Sequence, residues 1–456
     1  MKKIIFALSF STLFSCSLPT LNTSNNINSE QLNNFIIRFK DNININQINN
    51  LNTNIGIKAE KISNTLNMFE IKATNQAFQN IKTKYEKSGL INYIEGDSKL
   101  ALFPYQIIKD DKTFSSKSIS SVRPNDTFYG LQWNAASIDA DKVWSLTTGS
   151  KDITVAVIDS GVDPDHPDLA NNLLPLIDMY EESGERDLYT SGFNEIDYTG
   201  KDGNGHGTHV TGILGASINN AKGIAGIAGN VKILPIKAAN YEGNTSASII
   251  TKSILKAIDK GVRVINLSIG GPKSEGTQAL KDAVQLAINK NIVFVSATGN
   301  ESARSAGIIT PVTVPAAYQG VISVAATTKY NKVANYSNGG EEVEIAAPGG
   351  GSNSIEGDKI YSTWPTYRTY EGFRAGITGP YATLSGTSMA CPHVSAVAAL
   401  ILSREPNLTA QQVRIRLLST TVDVDAKGFD QATGYGKINA LKALTLNTHD
   451  KKSSIE

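Results

Sequence analysis

Leu384-Ser385-Gly386-Thr387-Ser388-Met389-Ala390-Cys391-Pro392-His393 runs directly into the small and apolar residues 394–402. A serine placed where a glycine-punctuated polar stretch becomes an apolar helical run falls at a helix N-terminus. Free N–H groups and the helix dipole there favour the negative charge of an acyl-transfer intermediate. Pro392 suits the first turn of such a helix. A lone serine here could be a helix cap, yet the whole string from Gly386 to Pro392 is long enough to be highly specific.

Three further segments narrow the choice. Asp159-Ser160-Gly161 closes the apolar strand Thr154-Val155-Ala156-Val157-Ile158, at the edge where open α/β sheets place their reactive groups. His206-Gly207-Thr208-His209 follows Asp202-Gly203-Asn204-Gly205 and opens a segment of small residues, where an imidazole can act as a general base steadied by a carboxylate. His206 and His209 stand three apart with no glutamate between them, unlike the zinc-binding H-E-x-x-H helix. Zinc is therefore set aside and His209 read as structural. Ser296-Ala297-Thr298-Gly299-Asn300 ends another apolar strand, and by itself Asn300 is as much a turn residue as a hydrogen-bond donor.

Together these segments resemble the subtilisin-like serine peptidases, whose chain order of Asp, His and Ser they share. An α/β-hydrolase requires the order Ser, Asp, His and a glycine where Ala390 stands, and a chymotrypsin-like chain runs His, Asp, Ser. The resemblance covers residues 124–444. It implies an α/β fold with a parallel sheet flanked by helices, and a catalytic triad of Asp159, His206 and Ser388 with Asn300 as oxyanion donor. It further implies that Ser268, Ile269 and Gly270 pair with an extended substrate, with Thr313 on the floor and Glu301 at the mouth of the first pocket. No carboxylate is evident at that floor, so the expected preference is apolar or aromatic. A calcium site is implied at Asp126, Asp168, Ser217, Asn220, Lys222 and Ile224, oxygen donors suited to a hard cation. Whether Asp197 and Asp202 form a second, weaker site is left open, because the insert after Leu169 is longer than the family's usual one.

Apolar β-branched runs at 153–158, 232–237, 262–268, 292–297 and 321–326 alternate with helical patterns at 247–260 and 277–289, as a parallel sheet with covered faces requires. Ahead of them, strand patterns at 35–39, 68–71 and 91–94 and an amphipathic helix at 75–87 outline a small α+β unit over 34–104. This resembles the ferredoxin-like propeptide of the same family, which implies an inhibitor and self-processing. A linker is expected at 105–123 and a polar tail at 445–456.

Met1-Lys2-Lys3 and the apolar residues 4–14 read as a secretory signal, 1–15, too short to span a bilayer. Leu13-Phe14-Ser15-Cys16 resembles a bacterial lipobox, with Phe14 replacing a small residue. It implies a lipid on Cys16, an Asn/Ser/Thr-rich tether at 16–33, and a secreted or surface protein held at a membrane. With Cys16 and Cys391 the only cysteines, a lipidated Cys16 leaves the body without a disulfide. Charged residues make up 19% and the net charge is +1, which favours neither a polyanion nor a nucleic-acid partner. Peptides and proteins remain as substrates. The rival reading is a surface adhesion protein on the same scaffold.

Overall fold

The computed structural model describes residues 31–108, 123–191, 194–351 and 358–446. The signal, Cys16, most of the tether and linker and nearly all of the polar tail lie outside the described residues.

The N-terminal unit is a four-stranded antiparallel sheet in the order β2-β3-β1-β4, formed by β1 (Asn33–Phe39), β2 (Ala59–Ser63), β3 (Met68–Ala73) and β4 (Ile91–Gly96). Helices Ile45–Ile55 and Asn75–Ser88 cover one face, enclosing Ile37, Phe39, Ile48, Ile71 and Tyr85. Helix Ile45–Ile55 and β2 were not singled out from the sequence, the helix because Asn fills five of its eleven positions and β2 because it is a short, largely polar run, Ala59-Glu60-Lys61-Ile62-Ser63.

The opposite face rests on the body. Lys252 pairs with Glu70 at 3.2 Å, Arg38 with Asp282, and the Tyr93 hydroxyl donates to Asp282 at 3.0 Å. The Glu95 carboxylate accepts the N–H groups of Gln278 (3.0 Å) and Ala279 (2.7 Å), and Asp97 accepts that of Ser248 (2.8 Å). Each acid thus satisfies orphan donors at the start of a body helix.

Two short strands follow, β5 (Lys99–Leu102) and β6 (Gln106–Ile108). Where the sequence suggests a linker from residue 105, Gln106–Ile108 pair with the body.

The body is built on seven parallel strands: β7 (Thr154–Asp159), β8 (Ile177–Asp178), β11 (Lys232–Lys237), β13 (Val264–Leu267), β15 (Val293–Ala297), β16 (Ile322–Thr327) and β17 (Ile345–Pro348), in the order β17-β16-β15-β13-β7-β11-β8. Between β8 and β11 lies the hairpin β9 (Leu188–Ser191) and β10 (Asn194–Asp197). Helices Ala247–Asp259 and Gln278–Asn289 pack side by side on one face. Helices His206–Gly215 and Thr387–Arg404 lie on the other, the latter buried from Thr387 to Leu402. Its neighbours on both sides are apolar, which explains why this helix is hydrophobic all round.

Candidate active site

β7 and helix His206–Gly215 bring Asp159 and His206 together. Gly207 makes this possible, because a Cβ there would stand 2.1 Å from the carbonyl oxygen of Gly161. His206 Nδ1 lies 2.7 Å from Asp159 Oδ1, with both side chains fully buried. The same carboxylate oxygen accepts the Ser160 N–H at 2.8 Å.

Behind the pair, Asp202 collects the hydroxyls of Ser160 (2.9 Å) and Thr208 (2.7 Å) and the N–H groups of Asn204, Gly205 and Thr208. Asp202 is therefore a buried clamp on the loop entering the His206 helix, and Asp197 pairs with Arg186. Neither is free for a second cation site, which settles the question the sequence left open. His209 turns away from the site, sharing Nε2 between the carbonyls of Ile360 (3.1 Å) and Ala382 (3.2 Å). Burial lowers its pKa to about 3. It is a neutral structural residue, as the spacing implied.

Ser388 sits in the first turn of helix Thr387–Arg404. Pro392 falls in the second turn rather than the first, and its missing N–H releases the Ser388 carbonyl four residues earlier. The Ser268 hydroxyl donates to that carbonyl at 3.2 Å, while Ser388 Oγ donates to the Ser268 carbonyl at 3.4 Å. His206 Nε2 has no hydrogen-bond partner among the described residues. The base is paired with its carboxylate and not yet with the nucleophile.

Asn300 follows β15 and is locked by its oxygen, which accepts both the N–H (2.9 Å) and the hydroxyl (2.8 Å) of Thr387. Its Nδ2 is thereby aimed into the cleft, where it donates to the carbonyl of Pro104 at 2.8 Å. That carbonyl belongs to the chain's own segment 99–108, laid through the cleft as a strap. β5 pairs antiparallel with β14 (Ile269–Gly270) on one side and β12 (Asn244–Ser246) on the other. β6 pairs with β18 (Tyr381–Ser385). The Tyr105 ring stands 4.9 Å from that of His206.

The predicted pocket residues are partly brought together. Gly270 lies against Phe103, and a Cβ added at Gly299 would meet Asn338, Glu301 and Thr313. Glu301 stands exposed beside them. Its carboxylate accepts the N–H of Asn300 (2.9 Å) and the Asn338 amide (2.6 Å).

The candidate calcium residues converge in part. Asp168 is fully buried and accepts the Asn220 amide (2.6 Å) and the Ile224 N–H (2.8 Å), and Asp126 accepts the Asn219 N–H (2.9 Å). Asn220 Oδ1 takes the Lys222 N–H at 2.8 Å. Asp126 Oδ1 and Ser217 Oγ are buried without a partner. Burial raises the Asp168 carboxyl to about 6, and the nearby Asp126 charge adds to the rise. Two buried acids within electrostatic reach of one another, with Asp126 Oδ1 and Ser217 Oγ orphaned, fit a hard cation, although the described residues contain no group of three or more His, Cys, Asp or Glu that could hold a metal.

Several site residues escaped the sequence reading: Ser160, Thr387 and the strap. A buried pair also did, Lys237 with Asp187 at 2.8 Å, in which Lys237 donates to the Ser160 carbonyl at 3.0 Å and so fastens the inserted loop beside Asp159. Ser160 and Thr387 adjoin residues already singled out, so adjacency was their only signal.

The model of the subtilase family matches residues 150–436. The chain is 37% identical over 324 residues to a thermophilic serine proteinase of Bacillus sp. (strain AK1), covering 71% of this chain and 69% of that protein. It is 35% identical over 322 residues to thermitase of Thermoactinomyces vulgaris, covering 70% of this chain and 99% of thermitase. The crystal structure of fervidolysin from Fervidobacterium pennivorans, described as a keratinolytic enzyme related to subtilisin, superposes with a TM-score of 0.71 at 26% identity, covering 93% of this chain and 62% of that one. With the Asp159–His206 contact, a serine at a helix start and an amide aimed into the cleft already in place, these similarities make the chain a member of the subtilase family and a subtilisin-like serine endopeptidase.

Proposed function

We propose that the protein is made as a secreted or surface-anchored precursor that matures by proteolysis by its own kind, with Asp159, His206, Ser388 and Asn300 as its catalytic residues. The observation that carries this reading is the strap, whose Pro104 carbonyl lies on Asn300 Nδ2 as a substrate carbonyl would. Its strands add to the cleft edge by main-chain pairing, a recurring mode of peptide recognition.

In the reaction, His206 Nε2 takes the Ser388 hydroxyl proton as the oxygen attacks a peptide carbonyl. Asp159 holds the ring and stabilises the imidazolium. Asn300 Nδ2 and the Ser388 N–H receive the developing oxyanion. His206 then gives the proton to the leaving amine, and water releases the acyl group by the same path. The Ser268 carbonyl must yield Ser388 Oγ to His206 before this begins.

Residues 34–104 serve as propeptide and inhibitor. The two helix caps and the Lys252–Glu70 pair support this assignment. Calcium, held by Asp126, Asp168 and Asn220, supplies a cross-link that a body without a disulfide lacks. A lipid on Cys16 retains the protein at a membrane. The Asp159–His206 contact supports proteolysis over adhesion.

Casein digestion with N-terminal sequencing of the enzyme itself examines the reading. Wild-type protein digests casein and shortens. Ser388→Ala stays full-length and inert in a host lacking other proteases, and normal processing of that variant would reject processing by its own kind.

A further inference from the structure

A peptide bond is ready for attack when one residue meets two conditions at once. Its side chain fills the pocket beside the nucleophile, and its carbonyl oxygen sits on the oxyanion donors. In the strap these conditions fall on different residues.

Gly270 pairs with Ala101 and Ile269 with Leu102. Continuing that register puts Phe103 opposite Ser268, the residue whose carbonyl accepts from Ser388 Oγ. On the other side the Leu102 N–H donates to the Gly243 carbonyl at 2.9 Å and fixes the same alignment. Phe103 is 2% exposed, and its ring tip lies where a Cβ on Gly270 would come within 2.8 Å. Phe103 therefore holds the pocket. The oxygen on Asn300 belongs to the next residue, Pro104, whose own side chain is exposed. Beyond it the Tyr105 hydroxyl donates to Asn204 at 2.6 Å, and Gln106–Ile108 are clamped by β18.

Proline accounts for the mismatch. Its ring fixes φ, removes the N–H and restricts the residue before it. Cutting Phe103–Pro104 would require the Phe103 carbonyl to replace that of Pro104 on Asn300. The leaving nitrogen, a ring member unable to turn about its Cα bond, would also have to face His206 for its proton. The Pro104–Tyr105 bond has the oxygen in place but no side chain in the pocket.

We propose that Pro104 keeps the strap one residue out of step, so that Ser388 of the same molecule does not cut it. The precursor is then latent until a second molecule, already active, cuts its chain outside positions 103–105. This inference rests on the peptidase reading above.

The experiment follows loss of intact precursor across a range of protein concentrations, by intact mass and N-terminal sequencing. For wild type, the fraction cut per unit time rises with concentration, and no product begins at Pro104 or Tyr105. Pro104→Ala lets the strap slide into step. A product beginning at position 104 then forms at a concentration-independent rate, roughly tenfold or more above wild type at the lowest concentration. Melting of Pro104→Ala,Ser388→Ala beside Ser388→Ala confirms that both precursors are folded. Concentration-independent cutting of wild type at either strap bond would overturn the inference, as would Pro104→Ala processing identical to wild type, while casein digestion leaves the peptidase reading standing. If neither form is ever cut and neither digests casein, the peptidase reading falls and takes the inference with it.

Discussion

Asn300 Oδ1 accepts two hydrogen bonds from Thr387, at 2.9 Å from its N–H and 2.8 Å from its hydroxyl, and this fixes which end of the Asn300 amide faces the cleft. Removing the donor in Asn300→Ala lowers kcat by ~10²–10³-fold, the range that such a loss gives in subtilisin itself. Thr387→Val keeps the shape and the backbone donor but loses the hydroxyl, and lowers kcat by about tenfold, the equivalent of one hydrogen bond. Steady-state kinetics on a peptide ester decide this. Unchanged kcat in Thr387→Val would mean that the backbone N–H orients the amide alone.

Calcium should stabilise the fold through Asp126 and Asp168. An ion that binds only the folded state at about 100 times its Kd adds roughly 2.7 kcal/mol. Chelator therefore lowers the Tm of the Ser388→Ala precursor, and Asp168→Ala mimics chelation and ignores added calcium. Coincident melting curves in chelator and in calcium would reject the site.

The Lys237–Asp187 pair is almost wholly removed from solvent, at 0% and 1% side-chain exposure. Asp187→Ala strands the ammonium and costs about 3–5 kcal/mol, whereas Lys237→Met,Asp187→Leu costs much less. Urea unfolding of the three proteins measures the difference. A double variant as unstable as Asp187→Ala would show that packing, not charge, dominates there.

Acid should weaken the fold through two buried imidazoles. Burial lowers the pKa of His209 to about 3 and of His393 to about 4, from 6.5. Between those values and 6.5 the unfolded chain binds more protons than the folded one, so stability rises with pH and is lost as pH falls through that window. Each residue contributes a slope of about 1.4 kcal/mol per pH unit. The slope of unfolding free energy between pH 6 and 5 should therefore be smaller in His393→Gln than in wild type, and equal slopes would contradict it.

The parallel sheet was legible because its strands are continuous apolar runs, the mark of burial on both faces. The main site residues were legible because their four strings together resemble those of the subtilases, whereas each string alone left a turn, core or cap reading open. The strap was not. Lys99-Leu100-Ala101-Leu102 alternates like any short strand, and nothing local says that its partners are residues 244–246 and 269–270. Lys237 with Asp187, and Thr387 with Asn300, were hidden for the same reason, since tertiary proximity joins residues with no common pattern. The hydrogen bonds of Glu301 to Asn300 and Asn338 were equally hidden, because position along the chain fixes its backbone but not the direction of its carboxylate.

Glu95 lies in β4 and Asp97 just beyond it, where its N–H still donates to the Asn34 carbonyl, and this two-residue spacing in extended chain sends both side chains to the same side. One caps helix Gln278–Asn289 and the other helix Ala247–Asp259. The N-terminal unit thus acts as a calliper whose jaws are set by the pitch of an extended chain. Only a body whose two helices already lie at the right offset can close both jaws, so the grip of this unit on the enzyme is itself a gauge of correct assembly.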